Sequence, residues 1–153
     1  MTSQQDWPGL AHLLEHLLFG DNRHHRGDAR LMPWVEAVGG AVNASTEAAS
    51  THFFFEVPAP LLADGVQRLI SMLTWPLWSD QAAMREVAVI DAEYRARRHD
   101  GDTLVEAALA WAVADGHPLH RFCAGNLSHW AAIRRNCCTP CATTISVFFT
   151  LPI

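Results

Sequence analysis

Hydrophobic positions follow a helical period near the start of this chain, change to strand-like runs around residue 41, and return to the helical period from residue 61. Pro8-Gly9 punctuates the start, and Leu10 to Phe19 then predicts an apolar helix. A polar loop from Gly20 to Gly27 follows, with His24-His25 inside it. Asp28 is placed to cap a second helix through Leu31, Trp34, Val35 and Val38. Pro33 lies inside that pattern and predicts a kink or a displaced start, and Gly39-Gly40 ends the helix.

Ala41 to Thr46 and Thr51 to Val57 are rich in Val, Thr and Phe and predict strands, closed by Pro58 and Pro60. Leu61 to Leu73 predicts a helix through Leu62, Val66, Leu69, Ile70 and Leu73, and Trp75-Pro76 breaks it. Ser79 or Asp80 can cap a long helix to about Arg98, and a further helix is predicted from Thr103 to Ala114, ending at Asp115-Gly116. Helices around a strand pair predict an α+β fold with helices packed on one face of a mainly antiparallel sheet. Two strands are too few for a complete sheet of that kind.

The stretch after Asn126 differs in kind. Leu127 to Ile153 has no acidic residue, holds three of the four cysteines, and shows neither period. The expected organisation is a domain over 1–126 and an atypical, poorly ordered tail over 127–153, with a shifted reading frame as its origin. Resequencing the coding DNA across the Leu127 codon tests that origin, since an intact frame with a downstream stop would remove it.

A length of 153 residues suits one domain that buries about two-thirds of its unfolded surface. A net charge of −5 argues against nucleic acid or an anionic membrane as the main partner. No apolar run reaches bilayer length, and Met1-Thr2-Ser3-Gln4-Gln5-Asp6 lacks the basic and apolar regions of a secretory signal, so a cytoplasmic location is expected. Cys123 stands alone while Cys137, Cys138 and Cys141 crowd together, a poor disulfide framework. With His129 they make only one loose cluster where a zinc site needs two spaced ligand pairs.

The candidate chemistry lies in His12-Leu13-Leu14-Glu15-His16. Residues four apart share a helical face, so both imidazoles can reach one metal ion, leaving room for a third ligand and a water. Glu15, at the edge of that face, can contact the water and move its proton. Chance produces this five-residue pattern in about one such sequence in forty. The plain alternative is a helix whose histidines face solvent or the core, but a strongly apolar helix has little reason to hold all three residues on one stripe. A third ligand should be an acid on another element. Glu86 and Glu93 are two helical turns apart on one face, and spacing alone does not choose between them; a solvated charged face beside Arg85, Arg95, Arg97 and Arg98 is their ordinary reading.

Gly9-Leu10-Ala11 before the motif, and the 76 residues between His16 and Glu93, resemble the pitrilysin/insulinase peptidases with their inverted zinc motif. The resemblance implies zinc held by His12, His16 and Glu93, with Glu15 as general base and Glu86 as an additional acid supporting the site. Gly39-Gly40 and Asn43-Ala44-Ser45-Thr46 resemble the family's strand that pairs with substrate backbone, a mode that reads main chain and tolerates varied side chains. Phe53-Phe54-Phe55-Glu56-Val57 resembles the strand that follows. Core packing is the ordinary reading of both strands. Gly116-His117-Pro118-Leu119-His120-Arg121-Phe122 also resembles a family segment, which makes His117 and His120 structural rather than ligands.

Arg30-Leu31-Met32-Pro33-Trp34-Val35 and the run from Glu86 to Arg95 are similar to family members that act in pyrroloquinoline quinone (PQQ) biosynthesis. The resemblance spans roughly residues 7–126 and implies a peptide substrate, the PQQ precursor peptide. Two departures bear on function: little precedes Gly9 where the family has a strand, and the family's further domains, which enclose substrate, have no counterpart here. The expected activity is therefore zinc metalloendopeptidase. The competing expectation is a zinc- or peptide-binding remnant that works only with a second peptidase-like subunit or further domains. A different zinc hydrolase would leave the Asn43 and Glu93 matches unexplained.

Overall fold

The computed structural model describes residues 9–114, 116–120 and 124–126. Cys123, Arg121-Phe122, Asp115 and the whole stretch 127–153 lie outside the described residues, as do residues 1–8. The expectations on the start, the tail and the cysteine cluster therefore fall outside them too.

Among the described residues, five helices and one antiparallel strand pair follow in the order α1 (Leu10–Leu18), α2 (Leu31–Ala37), β1 (Ala41–Thr46), β2 (Thr51–Glu56), α3 (Leu62–Thr74), α4 (Asp80–Arg97) and α5 (Gly101–Ala112). Short 3-10 turns occupy Gly27–Ala29, Ala59–Leu61 and Pro118–His120. The α+β reading holds, and the sheet among the described residues has two strands.

Most elements start where local chemistry puts them. The Ser79 hydroxyl accepts the Ala82 N–H at 3.1 Å and opens α4 as expected. Asp28 does not cap α2. It sits in the 3-10 turn, and α2 begins after Arg30, which places Pro33 in the first helical turn, where a missing N–H costs nothing. α5 starts two residues before the expected Thr103 and ends at Ala112.

The strands pair from Ala41 with Glu56 to Thr46 with Thr51. Val42, Phe53 and Phe55 face the helices and join Leu18, Leu31, Val35 and Met72 in one cluster. A second cluster joins α1 to α4 through Leu13, Leu17, Ala83, Val87 and Ile90. Two glycines permit the close approaches. A Cβ on Gly40 would lie 2.2 Å from the Glu56 carbonyl oxygen, and one on Gly65 would lie 2.4 Å from the Phe55 ring. Of the apolar residues that signal α3, Leu69 packs against the first cluster, but Leu62, Val66, Ile70 and Leu73 are exposed, while Gly65, Ser71 and Met72 face inward.

Candidate metal centre

The α1–α4 cluster positions the candidate chemistry. The two leucines that α1 gives to this cluster each follow a histidine, Leu13 after His12 and Leu17 after His16, and Val87 follows Glu86 on α4. Packing these apolar side chains together sets the two histidines against the two glutamates at the helix edge. His12 Nε2 and His16 Nε2 lie 3.2 Å apart, and Glu93 Oε2 lies 3.7 Å from each. One ligand atom from each of the three residues falls within 4.8 Å of the others.

The hydrogen bonds decide what these nitrogens can do. His12 Nδ1 faces the Ala124 carbonyl oxygen at 2.7 Å, and His16 Nδ1 faces Glu86 Oε2 at 3.2 Å. Both partners only accept, so both Nδ1 atoms carry the proton and donate. In the neutral rings this leaves two Nε2 lone pairs pointing at each other, an arrangement that repels unless a cation lies between them. Two nitrogens on a tetrahedral zinc ion would be about 3.3 Å apart, from zinc–nitrogen bonds of about 2.0–2.1 Å. The donor set therefore fits such an ion, with a Glu93 oxygen available as a third ligand atom and with Glu86 and the Ala124 carbonyl bonded to the outer ring nitrogens. Geometry thus separates the two acids that spacing left equivalent.

Glu15 is buried, and the Thr46 hydroxyl at the end of β1 donates to its Oε2. Thr46 Oγ1 also lies 3.0 Å from Thr51 Oγ1. The sequence carries no signal for this hydroxyl beyond its place at the end of the Asn43-Ala44-Ser45-Thr46 run. Asn43 and Ala44 line an open groove of about 1130 Å³ that also holds His12, His16, Glu86 and Glu93. Their side chains leave opposite faces of β1, so the groove follows the strand edge. The Asn43 side chain accepts the Ala44 N–H at 2.9 Å, and Ser45 is exposed. His117 and His120 make local bonds away from the centre, to Leu119 N–H and to the Val113 carbonyl.

Two further features had no sequence signal. Asn22 is buried and its side-chain oxygen accepts the N–H groups of His24 and His25 at 3.0 and 2.8 Å. Beside it, Arg23 N–H donates to the Trp75 carbonyl and Leu77 N–H to that of Asp21, tying the loop after α1 to the segment before α4. Burial pushes His25 below the usual imidazole range, and the charges of Arg68 and His24 add to the effect.

Residues 1–125 match the sequence profile described as insulinase (Peptidase family M16). The chain belongs to the insulinase peptidase family. It is 53% identical over 118 residues to coenzyme PQQ synthesis protein F of Pseudomonas aeruginosa, covering 77% of this chain and 15% of that protein. Similarity to the protein of the same name from Klebsiella pneumoniae is 50% over 120 residues, covering 78% and 16%. The crystal structure of pitrilysin superposes with a TM-score of 0.66 at 34% identity, covering 79% of this chain and 13% of that one. The chain thus spans about a sixth or less of the length of these relatives. Among the described residues no helix is long and apolar enough to cross a membrane.

Proposed function

We propose that this chain carries the catalytic centre of a zinc metalloendopeptidase that processes the peptide precursor in PQQ biosynthesis. The observation that carries the reading is the convergence of His12 Nε2, His16 Nε2 and a Glu93 oxygen, with both remaining ring nitrogens already donating elsewhere. The substrate assignment rests on similarity to the synthesis proteins of two bacteria.

His12, His16 and Glu93 would hold a zinc ion, which would supply Lewis acidity for the scissile carbonyl and lower the pKa of water. Glu15 takes the proton from the attacking water and passes it to the leaving amine. Thr46 fixes the Glu15 carboxylate through its hydroxyl, so proton transfer starts from one orientation. Glu86 and the Ala124 carbonyl keep each imidazole in the tautomer that presents Nε2. The edge of β1, from Asn43 to Thr46, binds substrate backbone as an added strand beside the centre.

The test pairs zinc stoichiometry on the monodisperse chain with peptide cleavage by the parent and by Glu15→Gln. The parent is expected to hold close to one zinc, and the variant to keep it while cleavage falls by about 10²–10⁴-fold. Cleavage that persists in the variant would remove Glu15 from the mechanism. Little zinc in the folded parent would remove the reading itself.

One observation favours a second reading, in which the chain binds zinc and peptide but turns over only with a second peptidase-like subunit or further domains. α5 and the outer stripe of α3 leave large apolar side chains exposed, Trp111 at 90%. Zinc and peptide binding without turnover, restored by adding the remainder of a relative's chain, separates it from the first.

A further inference from the structure

Three of the four arginines that line the groove have no ion-pair or stacking partner among the described residues. All the basic residues of this chain other than histidine are arginines, and eight of the eleven are among the described residues. Five of those eight are engaged. Arg95 pairs with Asp91 at 2.7 Å, Arg30 with Asp21 at 3.6 Å, and Arg98 bonds His99, while Arg23 and Arg68 lie over Trp75 and Trp34. The three with no such partner among the described residues are Arg26, Arg85 and Arg97, and all three line the groove.

Their freedom follows from the metal centre. Glu93 stands one turn before Arg97 on α4, a spacing that suits an ion pair, but its carboxylate turns to the two histidines. Glu86, next to Arg85, is held by His16. Asp21 is taken by Arg30 and by the Gly27 N–H. The groove's acids are thus committed, and its arginines are left to whatever enters. Arg85 and Arg97 are twelve residues apart, about 18 Å along the helix axis, with Glu86 and Glu93 between them. An extended peptide crossing the centre covers that distance in about five or six residues. Arg26 stands on the loop that Asn22 and its neighbours tie down.

We propose that Arg26, Arg85 and Arg97 select peptides with acidic side chains flanking the bond placed at the metal centre. The proposal rests on the peptidase reading and specifies its substrate class. Guanidinium and carboxylate match in a planar, two-bonded geometry, so a flanking Glu or Asp gains at these positions while a Lys or Arg is repelled. The chain as a whole is acidic, so the preference must come from the groove and not from net charge.

The experiment measures binding by fluorescence anisotropy, with the Glu15→Gln chain loaded with zinc so that nothing is cleaved. Two labelled ten-residue peptides are compared, one with glutamates two to four residues either side of its centre and one with glutamines there. At low ionic strength the acidic peptide is expected to bind about five- to tenfold more tightly. The preference should collapse near about 1 M salt, where the screening length falls to about 3 Å. Replacing Arg26, Arg85 and Arg97 by Gln together, with folding checked by circular dichroism, should bring the two peptides to equal affinity. Equal affinities in the Glu15→Gln chain, a preference that survives the triple replacement, or no binding of either peptide overturns the proposal. Hydrolysis of both peptides by the parent without preference sinks this proposal alone. A charge preference without hydrolysis sinks the peptidase reading and leaves the selectivity standing.

Discussion

α1 and α5 read alike as sequence and behave differently as structure. LAHLLEHLL and GDTLVEAALAWA are both strongly apolar short helices. α1 buries Leu13, Glu15, Leu17 and Leu18, whereas α5 buries none of its residues. The difference is not propensity. α1 has α4 on one side and the strand pair on the other, while α5 leaves Leu104, Val105, Leu109 and Trp111 uncovered. Apolar composition makes a helix available for packing, and the surfaces around it decide whether packing happens. In α1 that packing also assembles the candidate metal centre, because the same contacts that bury Leu13 and Leu17 hold His12 and His16 against α4.

The comparison is easiest to break through stability. Ile90→Ala, fully buried against α1, should cost about 2–5 kcal/mol in chemical denaturation, whereas Leu109→Ala on α5 should stay within about 0.5 kcal/mol. Equal costs would mean that α5 is packed in solution and that the contrast is false.

Metal binding sharpens it next. Glu93→Ala should lower zinc affinity, read by competition with a chelator, by more than the about 10–100-fold typical of losing a supporting partner. Glu86→Gln keeps a group near His16 but removes the carboxylate's charge, and should fall inside that range. An equal loss in both variants would place Glu86 among the ligands.

The smallest effect concerns the loop between α1 and α2. His25 protonates more readily in the unfolded chain than in the folded one, so folding keeps its full stability above about pH 6.5. Stability is then lost as pH falls below that value through the folded His25 pKa. Melting temperature recorded from pH 8 to 5 should show this arm in the parent and a flatter one in His25→Gln. An unchanged slope would mean His25 is solvated in solution.

The sequence by itself determined the local elements and the metal motif. Ser79, Gly39-Gly40 and the strand-rich run to Val57 fix boundaries through bonds and dihedrals within a few residues, and the i, i+4 spacing puts His12 and His16 on one face whatever else the chain does. Asp28 misled because a cap competes with a turn of similar composition, and the outer stripe of α3 misled because period reveals a helix but not which side is covered. Spacing left Glu86 and Glu93 equivalent, and only the family resemblance told them apart. The tertiary structure brings Glu93 to the histidines and Glu86 to His16, bonds Thr46 to Glu15, sets the His12 tautomer through the Ala124 carbonyl, and leaves three arginines without an ion-pair partner among the described residues. Those contacts join residues 31 to 112 positions apart, and such pairings depend on how buried surfaces fit together, which no local pattern carries.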